Sequence, residues 1–423
     1  AQTIVEDAYY NLIAPAPGSG IKTLGGNVTV NGDLTIATGN TLALGAATLD
    51  VTTGATAIPG DLTIGTNGVL DADGSFTAEN GTITLTGTGT MELSGAVAHL
   101  GVLSTGAGTV NYDGNDARTI FGDTYFNLSA NGTATKTLGG DVTLNGALLI
   151  DAATTVAMAT NDLSVTGSAT IPGTLNVVDN TLTITGASVV AGTININAGT
   201  VDANGTFNAT SGTIDFTGAG ELQLGDAVAH LGTLSDDAGT VTYDGSAQDV
   251  FLDDYWDLTA GGTATKTLAG AVTVKNTLTI SNGVTLDVNV ANHAVTIKQN
   301  FTCVGTGSFT SRSGTVTFSG SVNQALTSAG STFNDIVFAN TGGVDKVLAI
   351  IDHLDINGDL TVTTGTFDIT GAINVALAGD LSIANGANWT KGSGILTFDG
   401  TTQAFADGNT TPKNLGHISI NQP

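Results

Sequence analysis

The phrase AVAHLGVLSTGAGTVNYDG at residues 96–114 returns as AVAHLGTLSDDAGTVTYDG at residues 227–245, carrying His99 in the first copy and His230 in the second. The stretch just upstream, LDADGSFTAENGTITLTGTG at residues 70–89, recurs at the same offset as VDANGTFNATSGTIDFTGAG. Yet Lys22 and Lys136, which share another repeated phrase, stand closer together than the two histidines. The second copy therefore carries about 17 additional residues between Pro172 and Asp202, the size of one repeat of a solenoid. An insertion of that size that leaves both flanks in register is what one added coil looks like.

Shorter echoes define the coil. GDLTI stands at residues 32–36 and 60–64, GDLTV at 358–362 and GDLSI at 379–383. Each alternates apolar and polar positions between Gly, Asn or Asp, the pattern of a short half-buried strand between tight turns. Apolar residues at helical spacing are absent, and β-branched residues dominate. The expected fold is all-β: a parallel β-helix (β-solenoid), right-handed, with coils of roughly 20 residues. One coil cannot bury its Leu, Val and Ile row, but a stack can. Tandem β-sandwich domains are the alternative. The chain reads as one continuous solenoid, 1–423, with internal units at about 1–117, 118–248, 249–324 and 325–403 and a partial unit at 404–423.

Composition narrows the function. Charged residues are 11%, split as 37 acidic against 10 basic, for a net charge of -27. That balance argues against nucleic acid, whose phosphates need Lys and Arg, and against docking on anionic lipid. No apolar run reaches the length of a membrane-spanning helix. A single cysteine, Cys303, rules out an internal disulfide framework and is expected to be buried beside Phe301. No charged-then-apolar signal segment is present, and the chain begins Ala1-Gln2, which fits a secreted product after removal of its export signal.

A larger unit overlies the coils: GTVTYDG, then a Gln or Arg, then an aromatic-Asn-Leu phrase, then a lysine phrase. It is written GTVNYDG…RTIFGDTYFNL…TKTLGG, then GTVTYDG…QDVFLDDYWDL…TKTLAG, then GTVTFSG…QALTSAGSTFNDIVF…DKVL. This order resembles the repeats of large secreted, adhesin-like bacterial surface proteins expected to form β-helices. The resemblance covers nearly the whole chain. It implies an extracellular or cell-surface location and a structural or adhesive role, and it brings no catalytic residues.

The residues give no enzyme either. Arg118 and Arg312 are the only arginines, and Arg118 fills a slot that elsewhere holds Gln. The acids at residues 235–239 and 251–257 read as solvated corners, without a carboxylate pair that stands out for hydrolysis. No cofactor is expected. Calcium suits so acidic a surface, but DADG at residues 71–74 has the weaker counterpart DANG at 202–205, and no specific site is identified. His99 and His230 read as surface or corner residues.

Four lysines, Lys22, Lys136, Lys266 and Lys346, occupy one repeat slot. They are expected to point outward, offsetting nearby Asp, or to meet the acidic turns of a neighbouring molecule in lateral self-association. The terminal segments QTIVEDAYYNLIA and NLGHISINQP read as ordinary repeat pieces without a cap. The expectation is a head-to-tail homo-oligomer, with Leu415, Ile418 and Ile420 meeting Ile4, Tyr9, Tyr10 and Leu12 of the next copy. A stalk or adhesin segment of a larger surface protein is the second reading. Glycan binding on exposed Tyr125, Tyr255, Trp256 and Trp389 is the third.

Overall fold

A computed structural model describes residues 2–15, 20–235 and 237–421. Ala1, Asp236, Gln422 and Pro423, each part of a stretch read above, lie outside the described residues. The chain is an all-β parallel β-solenoid of about 21 turns, with coils of about 20 residues and no helix among the described residues. Parallel pairing throughout the described strands excludes the β-sandwich alternative, whose sheets are antiparallel. Two compact units are formed, Ala1–Asp215 and Phe216–Pro423.

In the first unit a typical coil holds the strands Asp61–Ile64, Val69–Ala72 and Phe76–Thr77. Each pairs with its equivalent one coil away: Leu62 with Leu42 and Ile83, Ala72 with Val51 and Leu93, Phe76 with Thr56. Alternation sends these side chains inward, where they stack into columns that are fully buried. Each such Leu or Ile contributes roughly 1.5–3 kcal/mol of burial. The added coil falls where the repeat offset requires it, since Thr174 pairs with Thr193 and Ile171 with Val190.

The corners are tight enough to demand glycine. Gly32, Gly54, Gly74 and Gly95 stack on successive coils, and a Cβ on any of the last three would overlap the carbonyl of the glycine before it.

The second unit is built alike but with more aromatics. Val274, Ile297, Phe318, Phe338, Val362 and Ile383 form one inward column in register. Phe301, Phe309 and Phe333 pack with centroids 5.3 Å apart. Cys303 is buried, 3.8 Å from Ser331 Oγ, and burial pushes its thiol up to about 11, so it behaves as an inert core residue.

Candidate functional site

The lysine slot is the first place where the structure corrects the sequence. Lys136 and Lys266 are fully buried and do not point outward. Lys266 Nζ donates to the carbonyls of Gly245 at 2.7 Å, Ser246 at 2.6 Å and Thr263 at 2.8 Å. Lys136 Nζ donates to Gly114 O and, at 3.3 Å, to Asp116 O. Burial lowers the pKa of both, as expected for an ammonium whose partners are neutral dipoles. Lys22 and Lys346 are half-buried, and Lys346 lies 3.5 Å from Asp345. Lateral contact through the slot is therefore closed to Lys136 and Lys266.

The slot is a corner clamp. Register pairs Gln2 with Lys22, Arg118 with Lys136 and Gln248 with Lys266, so the Gln-or-Arg position sits one coil beneath the lysine. Gln248 Nε2 donates to Leu224 O and Asp226 O at 2.8 and 2.6 Å, and Gln403 Nε2 does the same to Leu377 O and Gly379 O. Arg118 Nε donates to Ser94 O at 2.8 Å. These side chains add a donor to carbonyls at the corner, of which Leu224 O, Leu377 O and Gly245 O also accept a backbone N–H from the next coil. Lys346 breaks the pattern, because Gln324 pairs with Leu348 instead.

Tyr125 and Tyr255 are also buried, not exposed. Each closes a knot with the tyrosine of the preceding YDG phrase: Tyr112 Oη and Tyr125 Oη lie 3.1 Å apart, Tyr243 Oη and Tyr255 Oη 3.0 Å. Phe121 N and Phe251 N donate to Tyr112 and Tyr243, and Tyr125 and Tyr255 donate back to Phe121 O and Phe251 O. Trp389 is buried and stacks on Phe367. Of the four aromatics, only Trp256 reaches the surface, beside a hollow of about 390 Å³ lined also by Lys275, Lys298, Gln299 and Ser319. His99 is exposed and His230 half-exposed, each against a phenylalanine ring.

The terminal coils present open edges. Among the described residues, Gln2–Ile4, Ala8–Tyr9 and Leu12–Ala14 pair on one side only, with the coil that follows. Asn388–Lys391, Phe405–Asp407 and His417–Ile420 are likewise last in their sheets. Ile418 and Ile420 stand in register with Leu396 and Phe398, so they continue the inward row, yet they are 51% and 73% exposed. At the first coil Ile4, Tyr9 and Leu12 are half-buried and Tyr10 is 78% exposed. Leu415, in contrast, is buried and is not available for a contact. Among the described residues, six of the 18 exposed large hydrophobics, Val5, Tyr10, Ile13, Phe405, Ile418 and Ile420, lie in the first or the last coil. That concentration marks the two edges as apolar surfaces.

Comparison with protein-family models, with curated proteins and with solved structures gave no match to this chain.

Proposed function

We propose that the chain is a non-enzymatic, extracellular structural protein, the subunit of a surface fibre, sheath or matrix filament assembled by end-to-end stacking of solenoid coils. The observation that carries this reading is the pair of edges whose strands, among the described residues, pair on one side only and leave an apolar row uncovered. Unpaired strand edges template further pairing unless they are blunted. The last coil, with Ile418 and Ile420, offers hydrogen-bonding groups and apolar side chains of the kind the first coil lacks on its open side. Joining unlike edges is a heterologous contact, which propagates into an open filament.

A stalk or adhesin segment of a longer surface protein is the second reading. It is favoured by the hollow beside Trp256, where an indole and two lysines on successive coils suit an acidic sugar. Electron microscopy of the purified chain separates the two. Fibres that lengthen with protein concentration support the filament. Discrete particles at every concentration, with saturable sugar binding that Trp256→Ala removes, support the adhesin.

A further inference from the structure

Asp50, Asp71, Glu92 and Asp113 recur at one even spacing along the chain. The strands Thr48–Val51, Val69–Ala72 and Thr90–Leu93 pair so that Asp71 lies between Asp50 and Glu92 on the outer face. One coil further, Glu92 pairs with Asn111, and Asp113 follows two positions on, on the same face by alternation. One carboxylate oxygen from each of Asp71, Glu92 and Asp113 lies within 4.8 Å of the others. That is twice the calcium–oxygen distance of about 2.4 Å, so all three fit around one ion.

A second observation points to a ligand independently of the charges. Asn111 is outward-facing but only 8% exposed, held between Glu92 and Ser129 of the neighbouring coils. Its Oδ1 is sealed from solvent and accepts no hydrogen bond from the described residues. An amide oxygen in that position, beside a Glu92 carboxylate that cannot donate to it and a Ser129 hydroxyl that donates to Asn131 instead, is costly unless a cation answers it.

The chain supplies its own comparison. The second copy of the long phrase writes Asp202, Asn204, Gln223, Thr242 and Asp244 where the first has Asp71, Asp73, Glu92, Asn111 and Asp113. Three of those replacements remove a carboxylate or the amide, and hydrogen bonds take their place. Asn204 Nδ2 donates to Asp202 at 2.9 Å. Thr242 Oγ1 and Gln223 Nε2 donate to Glu221 at 2.6 and 3.1 Å. The second copy thus keeps Asp202 and Asp244, carries Glu221 where the first has Thr90, and folds without the carboxylates at the Asp73 and Glu92 positions and without the Asn111 amide.

We propose that Asp71, Glu92, Asp113 and the Asn111 carbonyl bind one hard divalent cation, calcium in preference to magnesium, on the outer face of the first unit. The nearby cations are committed elsewhere: Arg118 to Asp116 at 3.1 Å and to Ser94 O, Lys136 to Gly114 O. Ser94 Oγ holds one oxygen of Asp113 at 2.8 Å and leaves the other for the ion. Four protein oxygens spread over three coils suit calcium, which takes 6–8 oxygens in flexible geometry and fills the rest with water. Magnesium demands a near-ideal octahedron and gives up its water reluctantly.

Isothermal titration of the full chain with calcium chloride at about 0.15 M salt, where diffuse attraction is screened, tests this. The expected result is one saturable site per chain, weaker for magnesium. Glu92→Gln and Asn111→Thr, each the residue that the second copy carries at the equivalent place, should keep the circular dichroism spectrum and weaken calcium binding about tenfold or more. Asp116→Asn, close by but outside the cluster, should leave it unchanged. Two results would overturn the proposal: no saturable binding, or binding that Glu92→Gln and Asp116→Asn weaken equally, which is counter-ion attraction to an acidic surface.

Discussion

Lys266 donates three hydrogen bonds to backbone carbonyls from a fully buried position, so its role is to satisfy a corner. Replacing it with methionine keeps the stem but removes the donor shared by those carbonyls, of which Gly245 O keeps only the Thr263 N–H. Lys266→Met should lower the stability of the second unit by roughly 1–3 kcal/mol in denaturant unfolding. Lys346→Met, at a half-buried member of the same slot, should change it by less than about 0.5 kcal/mol. A second residue-scale prediction concerns pH. Arg312 Nε and Nη2 each donate at 2.6 Å to Asp287, and these bonds hold its carboxyl below the ordinary 3.8. A depressed folded pKa gives stability above the ordinary value that is lost as pH falls through the folded one. Asp287→Asn should therefore lower the thermal midpoint at neutral pH, and the gap from wild type should close as pH falls below the ordinary carboxylate range and through the folded value. The lysine slot is visible in the sequence because the phrase repeats. Its inward direction is legible too, for Lys136 and Lys266 share parity with the buried Leu138 and Leu268 in TKTL. Charge nonetheless outweighs parity in one dimension, because an isolated lysine seldom goes inside. What brings it inside is a set of corner carbonyls that no one-dimensional pattern displays.

At the level of the coil, the sequence is most informative where it repeats and least where partners are assembled across coils. The short alternating strands, the turn residues and the added coil are all readable from GDLTI-like phrases and from the offset of the two copies. The acidic ladder is not, because its members come from different coils and look like unrelated corner acids within any one phrase. Its signal is the even spacing of positions 50, 71, 92 and 113, the first three of which are register partners on successive coils. The coil also makes a prediction about the chain's modularity. Thr174 pairs with Thr193 and Gly173 stacks under Gly192, so removing residues 174–192 joins equivalent points on adjacent coils. That deletion should leave the circular dichroism per residue unchanged and the transition cooperative. Removing residues 174–183 alone shifts every later strand by half a coil and should unfold the neighbouring coils, as nearest-neighbour stacking requires. Gly74→Ala should likewise be destabilising, because its Cβ meets the Gly54 carbonyl with no flexible atom to yield.

For the molecule as a whole, two surface properties oppose each other. A net charge of -27 keeps copies apart, while the terminal edges carry uncovered apolar side chains that burial would stabilise. Assembly through those edges should therefore strengthen as salt screens the charge, since the Debye length falls from about 30 Å at 0.01 M to about 8 Å at 0.15 M. The contact set narrows relative to the sequence expectation, because Leu415 is already buried and Ile418 and Ile420 carry the last coil's open row. The most direct measurement is electron microscopy with fibre diffraction on the purified chain across a salt series, alongside Ile418→Asp/Ile420→Asp. End-to-end stacking predicts fibres favoured by salt, a meridional reflection at about 4.8 Å from coils continuous through the joints, and discrete particles from the double variant. Discrete particles of wild type at every salt concentration, or fibres that the double variant forms equally well, would contradict it.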